Sequence, residues 1–336
     1  MAEAVLGSVR MESLWCALGE VLGSFPIREK RLLFQAAERE NPWFSYGHLE
    51  KAWEGIIRML DPQDVSAWFH KYKPSRTAKR VGLILAANVP MVGFHDLVCV
   101  LSSGHIACLR PSRRDEVMIR FLSQEMIRLM PELSDRITFL SSWDGVDAWI
   151  ATGSQATLKS LAPYLEKKAC LVRGHKNSCA VLDGTETSSD LRNLLDDVML
   201  FSGRGCRSVS KIYVPKNYDI DHLLHEWTFH SSDLFVENIH YMNNYTYQKA
   251  MLNLLGIKYW DSRFLLLRED KSLSSPIGVL HVGSYADEVG LNDALYRDRS
   301  LLQIVVGREL GWGHAHLPTL FDYADGIDTM NFLQNI

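Results

Sequence analysis

The stretch VGLILAAN, Val81 to Asn88, decides the fold class. Up to its last residue it is apolar or small throughout, which is expected of a strand that is buried on both faces of a parallel sheet. A second such run, HIACLR at His105 to Arg110, follows a predicted helix from Pro90 to Ser103. A strand, a helix and a strand at this spacing predict a βαβ unit, in which the two strands lie parallel.

The same alternation continues toward the C-terminus. We predict helices at Asp115 to Met130 and after Gly153-Ser154, and strands at Arg136 to Leu140, at Ala148 to Thr152, near Cys170 and near Ala180. Together these elements form an open, doubly wound parallel sheet, and such sheets bind ligands beyond the carboxyl ends of their strands. Asn88, Arg110 and the segment Thr152-Gly153-Ser154 lie at those ends, so we expect them to face one crevice.

Helices precede this sheet and a second α/β region follows it. Helical spacing of leucines predicts helices in residues 1–79, and the aromatic residues there are predicted to be packing anchors rather than the lining of an apolar channel. These anchors are Trp43, Phe44, Trp53, Trp68 and Tyr72. Four parts are therefore predicted: a helical layer (residues 1–79), a first α/β domain (80–200), a second α/β domain (201–320) and a C-terminal helix (321–336).

Within the second α/β domain the apolar runs again indicate strands between helices. The predicted strands are Ser210 to Val214, Phe264 to Leu267, Ile277 to Val282 and Leu301 to Val306, and the predicted helices lie near Asp221 to His230 and Tyr247 to Leu255.

Composition and charge exclude several classes of protein. The chain has 336 residues, of which 47% are hydrophobic and 23% charged, and a net charge of -4, which gives no general attraction to nucleic acid or to an anionic membrane. No apolar run reaches the roughly 20 residues of a membrane helix. The six cysteines are scattered without a CxxC pair, which favours reduced thiols in the cytoplasm over disulfides or a zinc site.

One of these cysteines lies in an unusual setting, the stretch FSGRGCRSVSKIYVP at Phe201 to Pro215. Two glycines precede Cys206, and they let the backbone turn sharply and let a substrate carbonyl come close to the main chain. Cys206 is therefore a candidate nucleophile, and the neighbouring Arg204 and Arg207 are charges that favour its thiolate. The alternative is a small buried hydrophobic residue.

Two segments at strand ends are suited to bind anions. RPSRRD, Arg110 to Asp115, brings three guanidinium groups to a strand-to-helix turn, where they either hold a phosphate or form a solvated cluster that pairs with Asp115 and Glu116. ATGSQATLKSL, Ala151 to Leu161, places amide hydrogens at a helix start, as in a pyrophosphate site. It lacks the GxGxxG fingerprint, so an ordinary capped helix is the alternative.

Two further features have both a functional and a structural interpretation. The Asn88 amide, ahead of Val89-Pro90, either donates a hydrogen bond to a developing oxyanion or caps a helix. The pair His314 and His316 alternates onto one face, but no further metal ligand is evident, so a loop pair is favoured over a metal site.

In order and approximate spacing, these stretches resemble the aldehyde dehydrogenase superfamily and, within it, the acyl-CoA reductase (LuxC-like fatty-acid reductase) family. AANVP resembles the asparagine-proline oxyanion loop, RPSRRD the Lys-Pro-Ser-Glu segment at the adenine ribose, and ATGSQ the Thr-Gly-Ser helix start at the cofactor phosphates. RGHKNSCAVLDG resembles the Glu-Leu-Gly-Gly-Lys-Asn segment, and FSGRGC the Gly-Gln-x-Cys nucleophile turn. NPWFSYGHLEKAWEGI and FDYADGIDTMNFL extend the resemblance over nearly the whole chain.

The resemblance implies an aldehyde dehydrogenase-like fold, with residues 80–200 as the NAD(P)-binding domain and residues 201–320 as the catalytic domain. It implies Cys206 as the nucleophile and Asn88 as an oxyanion donor. Six residues are implied to bind the cofactor: Arg110, Ser112, Arg113, Thr152, Gly153 and Ser154.

Departures from the superfamily pattern narrow the expected reaction. Val172, or Arg173 if the alignment slips by one, occupies the position of the usual general-base glutamate. An acyl-cysteine here therefore lacks the base that would activate water for hydrolysis. We expect its acyl group to accept hydride or to transfer to another thiol. Arg113 replaces a glutamate that bonds the ribose hydroxyls in NAD-preferring relatives, which favours NADPH. No glutamate for the nicotinamide ribose is evident in Ser272 to Leu280, and the nearest candidate proton donor, His175, is more consistent with a structural role.

The expected activity is NADPH-dependent reduction of an acyl-CoA, or acyl-carrier, thioester to the aldehyde. The alternatives are a CoA-acylating aldehyde dehydrogenase, an acyl-phosphate reductase of the same fold, or a non-catalytic nucleotide-binding relative. As partners we expect an acyl-donating protein and, from the resemblance alone, a second copy of the chain in a homodimer.

Overall fold

The computed structural model describes residues 8–75, 77–153, 155–165, 167–230 and 238–336. The chain forms two compact units. The first unit ends at His175 and resumes with Pro318–Ile336, and the second is Lys176–Leu317.

The first unit contains the predicted parallel sheet, which has five strands in the order β3-β2-β1-β4-β5, all parallel. The strands are β1 (Arg80–Leu85), β2 (Ile106–Pro111), β3 (Ile137–Phe139), β4 (Ala148–Thr152) and β5 (Ala169–Arg173). All of β1 after its first residue is buried, which explains its unbroken apolar sequence. The predicted α/β class with a parallel sheet is confirmed.

Helices α1 to α7 belong to the same unit. Their bounds are α1 (Ser8–Gly23), α2 (Ile27–Glu40), α3 (Tyr46–Met59), α4 (Pro62–Lys71), α5 (Phe94–Ser102), α6 (Glu116–Leu129) and α7 (Gln155–Leu165). Capping residues fix where α3 and α4 begin: the Ser45 hydroxyl accepts a hydrogen bond from the His48 amide, and the Asp61 carboxylate accepts one from the Gln63 amide.

The N-terminal aromatic residues pack as predicted. Phe44, Trp53 and Trp68 are buried in the core of the first unit. The indole nitrogens also find partners, since Trp53 Nε1 donates to the Leu22 carbonyl at 3.1 Å and Trp68 Nε1 to the Tyr323 hydroxyl at 2.8 Å.

The C-terminal helix is shorter than the sequence predicts. Helix α12 is Thr329–Gln334, whereas the predicted helix begins at Phe321. The reason is local: Asp325 has a left-handed backbone with φ 60°, and the Asp328 carboxylate caps the helix start by accepting the Asn331 amide at 2.9 Å.

The second unit is built on a sheet of six strands in the order β11-β6-β7-β10-β9-β8, parallel except for β8. Its strands are β6 (Asn177–Val181), β7 (Val209–Pro215), β8 (Trp260–Asp261), β9 (Leu266–Glu269), β10 (Val279–Tyr285) and β11 (Leu302–Val306). Its helices are α8 (Ser188–Met199), α9 (Ile220–His230), α10 (Ile239–Leu254) and α11 (Glu288–Asp298).

Strand β6 accounts for the position of the boundary between the units. The sequence predicts this strand, near Ala180, as part of the first α/β domain, but it pairs with β7 and β11 in the second sheet. The compact units therefore divide after His175, and the functional domain limits inferred from the sequence stay a prediction.

Candidate active site

Three of the predicted site segments follow neighbouring strands of the first sheet. Leu85 of β1 pairs with Pro111 of β2, and Ile84 pairs with Ala151 of β4, so the carboxyl ends of these strands lie along one edge. The amide of Ser112 also donates to the Leu85 carbonyl at 3.3 Å. The segments that carry Asn88, Ser112 and Thr152 therefore meet at this edge, as expected for adjacent parallel strands.

The half-buried Asn88 lies in an irregular loop rather than at a helix start. The predicted helix from Pro90 begins only at Phe94, because Met91 has a left-handed backbone with φ 56°. Gly93 packs closely here, since a Cβ at this position would lie 2.4 Å from Leu85 Cδ2 and would require that side chain to shift.

Asp115 holds this loop from α6. Its Oδ2 accepts the Met91 amide at 2.8 Å, and only 2% of the residue is exposed. Burial raises the pKa of Asp115 well above its usual range, with a smaller contribution from Glu40, and the hydrogen bond from the Met91 amide opposes this shift. Its Oδ1 has no hydrogen-bond partner among the residues described.

The arginine segment is largely open to solvent. Arg113 and Arg114 are exposed, whereas the Arg110 guanidinium lies 3.9 Å from the centre of the Trp143 ring. The exposure of Arg113 and Arg114 agrees with the alternative of a solvated cluster, but the partial pairing with Asp115 and Glu116 is not found in the described residues. Asp115 bonds Met91, and Glu116 pairs with Arg120 at 2.5 Å.

At the end of β4 the structure leaves a buried hydroxyl without a partner. Thr152 Oγ1 has no hydrogen-bond partner within the described ranges, and the adjacent Gly153 amide makes only a long bond, 3.5 Å, to the Arg173 carbonyl. Helix α7 begins at Gln155. Ser154, the third predicted residue of this segment, lies outside the described residues.

The end of β5 carries no carboxylate. Val172, one of the two residues that the resemblance aligns with the general-base glutamate, is 45% exposed. Arg173 points to the other face and is buried, where its Nη1 donates to both oxygens of Asp96 at 2.6 Å and its Nη2 to the Thr329 hydroxyl at 2.6 Å. Arg173 thus joins α5 to the C-terminal helix. His175, the other motif-borne candidate, is exposed.

Cys206 lies in a loop that follows a strained turn. Phe201 and Ser202 have φ 57° and φ 58°, and Gly203 has φ 67°, so three consecutive residues are left-handed. Left-handed conformations cost roughly 1–3 kcal/mol for each residue other than glycine and persist where the surroundings enforce them. The glycines in the sequence indicated a turn, but nothing in the sequence indicated left-handed Phe201 and Ser202.

Hydrogen bonds fix the backbone around the cysteine itself. The Cys206 carbonyl accepts the Ser178 hydroxyl at 2.8 Å, and the Gly205 amide donates to the Ser208 hydroxyl at 3.1 Å. The Cys206 side chain is half-buried, and β7 begins three residues later, at Val209.

The other five cysteines are less suited to attack a substrate. All six cysteines are outside disulfides, and three of them, Cys99, Cys108 and Cys179, are buried. Burial raises the pKa of Cys179 to about 12 and also raises the pKa of Cys16, Cys99 and Cys170, which keeps these thiols protonated at neutral pH.

The histidine pair bonds to backbone carbonyls. The His314 ring nitrogen Nδ1 lies 2.8 Å from the Trp312 carbonyl, and His316 Nε2 lies 3.2 Å from the Asp197 carbonyl. In the part of the chain that the structure describes, no group of three or more His, Cys, Asp or Glu side chains is arranged to hold a metal ion. No described helix is both long and apolar enough to cross a membrane.

Sequence reasoning missed the buried acids, although a signal for two of them was present. Asp197 lies about one helical turn after Leu194, a buried residue of amphipathic α8, and an acid beside an apolar stripe must find a buried partner. Asp96 carries a similar signal, since it lies in the apolar helix α5, whereas Asp115 belongs to the charged run RPSRRD and carries none.

A family model described as Acyl-CoA reductase (LuxC) matches residues 48–226, more than half of the chain. No curated protein sequence matches the chain.

Solved structures share the fold at low sequence identity. An NAD-dependent aldehyde dehydrogenase from Sinorhizobium meliloti has a TM-score of 0.66 and 12% identity, over 90% of this chain and 70% of that chain. A propionaldehyde dehydrogenase from Rhodopseudomonas palustris with bound propionyl-CoA has a TM-score of 0.59 and 12% identity, over 90% of this chain and 76% of that chain. Aldehyde dehydrogenase 21 from Physcomitrella patens has a TM-score of 0.63 and 11% identity, over 97% of this chain and 80% of that chain. The fold is therefore aldehyde dehydrogenase-like, as the resemblance implies.

Proposed function

The chain belongs to the acyl-CoA reductase (LuxC) family, and we propose that it reduces an acyl-CoA or acyl-carrier thioester to the aldehyde with NADPH, through an acyl intermediate on Cys206. Family membership makes the protein an oxidoreductase that acts on acyl groups or aldehydes. The thioester substrate, the cofactor NADPH and the roles of individual residues are the proposal.

The observation that carries the proposal is the turn before Cys206. Two non-glycine residues, Phe201 and Ser202, are left-handed there, and such strain is concentrated at functional sites. Cys206 is half-buried in the loop that follows, whereas Cys99 and Cys179 are buried. A cysteine at a constrained turn is suited to covalent catalysis.

In the proposed reaction the Cys206 thiolate attacks the thioester carbon and forms a new C–S bond. The Asn88 side-chain amide and the Cys206 backbone amide donate hydrogen bonds to the oxyanion. The bond to the leaving sulfur then breaks, and the leaving group departs as a thiolate that takes its proton from solvent. The nicotinamide, when bound, supplies the hydride that reduces the acyl group on Cys206. Cys206 finally leaves as the thiolate, and the aldehyde is released.

The end of β5 supports reduction over hydrolysis. Hydrolysis of an acyl-cysteine needs a base to activate water. Val172 is an exposed alkyl group, and Arg173 is buried against Asp96, so neither side chain can serve as that base. An acyl group on Cys206 is therefore left to accept hydride or to return to a thiol.

The residues present fit a dinucleotide. The buried Thr152 hydroxyl, which has no hydrogen-bond partner among the described residues, can donate to a phosphate oxygen beside Gly153. Ser112 at the neighbouring strand end and the exposed Arg113 are proposed to hold the adenine ribose, with Arg113 facing the 2′-phosphate of NADPH. Arg110, which stacks on Trp143, completes the proposed set together with Ser154.

The same fold accommodates an acyl-CoA in one of the structures compared, the Rhodopseudomonas palustris enzyme with bound propionyl-CoA. This supports a CoA thioester as the acyl donor. The homodimer expected from the resemblance stays a prediction, and sedimentation of the purified chain tests it.

The test is anaerobic incubation of the purified protein with NADPH and acyl-CoAs of graded chain length. Loss of reduced-nicotinamide absorbance and release of free CoA are followed together in the wild type, in Cys206→Ala and in Cys170→Ala. Cys170 is also half-buried, so its variant is the matched control. Both signals are expected in the wild type and in Cys170→Ala, and neither in Cys206→Ala.

Asn88→Ala is expected to lower kcat by roughly 10²–10³, the usual effect of losing one oxyanion donor. Turnover that survives in Cys206→Ala contradicts the covalent route. If NADPH binds but no acyl-CoA gives either signal, the CoA thioester is excluded. Acyl phosphates, an acyl-carrier protein and an acyl-donating partner are then the substrates to supply.

A further inference from the structure

Asp197 is a buried acid that the proposed reaction does not use. It lies in the last turn of α8, with 1% of its surface exposed. Its Oδ2 accepts the Gly313 amide at 2.7 Å, and its Oδ1 accepts the Ala315 amide at 2.9 Å. One carboxylate thus holds two backbone amides, those of Gly313 and Ala315, in an irregular loop. We call this loop, residues 313–316, the clamp loop.

The clamp loop in turn contacts the nucleophile turn, residues 201–207, at two points. Arg207, next to Cys206 in sequence, donates through Nε to the Ala315 carbonyl at 2.5 Å. The His316 ring packs edge-on against the Phe201 ring, with centroids 5.3 Å apart. The His316 Nε2–H donates to the Asp197 backbone carbonyl, which orients that ring.

The nucleophile turn needs such support, because its left-handed residues Phe201 and Ser202 are unfavourable by themselves. The clamp loop also fits α8 closely. Gly313 has φ 79°, and a Cβ there would lie 3.1 Å from Asn193 Cβ. These contacts all lie within the second unit.

We propose that Asp197 is a positioning residue, whose carboxylate holds the clamp loop and, through Arg207 and His316, keeps the nucleophile turn in the conformation that makes Cys206 reactive. This inference rests on the proposed function only in taking Cys206 as the reactive thiol.

Protonation of Asp197 should release the clamp loop. Burial raises the pKa of Asp197 to about 6, and the Gly313 and Ala315 amides oppose this shift. The other ionisable groups that face it are Asp196, which raises the pKa, and His314, which lowers it. In the neutral acid one oxygen carries a proton and the negative charge is gone, so both hydrogen bonds from the clamp-loop amides are weakened.

The test measures the reactivity of the Cys206 thiol directly. Alkylation by iodoacetamide is followed by mass spectrometry of the Cys206 peptide between pH 5 and pH 9, in the wild type and in Asp197→Asn. The asparagine NH2 group faces one amide of the clamp loop, so the variant mimics the protonated acid at every pH. Asp196→Asn, an exposed acid of the same helix, is the matched control.

Asp197→Asn should slow alkylation of Cys206 about tenfold or more at pH 8, because it removes one charge-assisted hydrogen bond. Asp196→Asn should be within about twofold of the wild type. As the pH is lowered below about 6, the logarithm of the alkylation rate should fall more steeply in the wild type than in Asp197→Asn. In the variant only the thiol titrates. Equal rates and equal slopes in the wild type and Asp197→Asn overturn the inference.

A second pair of variants decides the question if Asp197→Asn does not fold, which its far-UV circular dichroism would show. Arg207→Met cannot donate to the Ala315 carbonyl and should slow alkylation about tenfold, while Arg207→Lys should recover most of the rate. Equal rates in these two variants overturn the inference. If alkylation depends on Asp197 but no thioester is reduced, the proposed function fails and the inference stands.

Discussion

Breaking the buried ion pair between Asp96 and Arg173 should strongly destabilise the first unit. Both Asp96 oxygens accept from Arg173 Nη1 at 2.6 Å, and the two side chains are 6% and 4% exposed. Asp96→Asn removes the negative charge but keeps the shape. The guanidinium would then keep its bond to the Thr329 hydroxyl, while its Nε has no hydrogen-bond partner among the residues described.

Removing one partner of such a pair leaves a buried charge uncompensated, which costs about 3–5 kcal/mol. For a folding unit of this size, 1 kcal/mol corresponds to about 2–4 °C in the melting temperature. Asp96→Asn is therefore expected to lower the melting temperature of the first unit by roughly 6–20 °C. Fluorescence is a suitable probe, because Trp15, Trp53 and Trp68 are buried in that unit.

Two controls isolate the buried charge as the cause. Glu125→Gln breaks the surface pair with Arg128, whose guanidinium is 58% exposed, and should change stability by less than about 1 kcal/mol. Asp96→Leu combined with Arg173→Met removes both charges and should recover much of the loss. A melting temperature of Asp96→Asn within about 2 °C of the wild type would refute the reasoning.

Three further predictions follow from the site. Val172→Glu places a carboxylate at the exposed end of β5, where it can activate water. The ratio of free fatty acid to aldehyde among the products should then rise at least about tenfold. An unchanged ratio would contradict the view that the chain lacks a base for hydrolysis. Arg113→Glu should weaken NADPH binding at least about tenfold and NADH binding less, as measured by titration of nicotinamide fluorescence, and equal losses would contradict a 2′-phosphate contact. Asp115→Leu leaves the Met91 amide without its acceptor and should cost about 1–3 kcal/mol in urea unfolding, whereas Asp115→Asn should cost less. Because burial raises the pKa of Asp115, the unfolded chain releases this proton at a lower pH than the folded chain does. The free energy of unfolding should therefore fall as the pH rises above about 4, until the folded acid titrates. Asp115→Asn should abolish this pH dependence.

The parallel sheet was predictable because burial on both faces leaves a local signature. Strands β1 and β2 are continuous apolar runs, and each was predicted within a few residues of its observed bounds. The site segments followed from the same pattern, since parallel strands bring their carboxyl ends to one edge.

What the sequence did not reveal depends on contacts between distant residues. The Pro90 signal predicted a helix start, but the Asn88 loop takes its shape from Asp115, which lies 24 residues beyond Met91. Strand β6 was assigned to the first domain because its partner β11 comes much later in the chain. Left-handed Phe201 and Ser202 contradict local preference, and such conformations are set by tertiary surroundings.

Buried acids perform a common task in these loops. Irregular segments leave backbone amides without the partners that helices and strands supply, and an acid can accept them from a neighbouring element. Asp115 does this for Met91 in the Asn88 loop, and Asp197 for Gly313 and Ala315 in the clamp loop. The loops that carry the proposed catalytic residues are thereby fixed from helices α6 and α8.

The end of β5 shows how one strand serves structure and chemistry on opposite faces. Successive side chains of a strand point to opposite sides, so Val172 is exposed while Arg173 is buried against Asp96 and Thr329. A glutamate at position 173 would place a negative charge against Asp96 and remove the link to the C-terminal helix, so Arg173→Glu should destabilise the fold without supplying a base. Of positions 172 and 173, only 172 faces outward. The substitution that tests for restored hydrolysis is therefore Val172→Glu, because the alternation of the strand turns the side chain at position 172 outward and the one at position 173 inward.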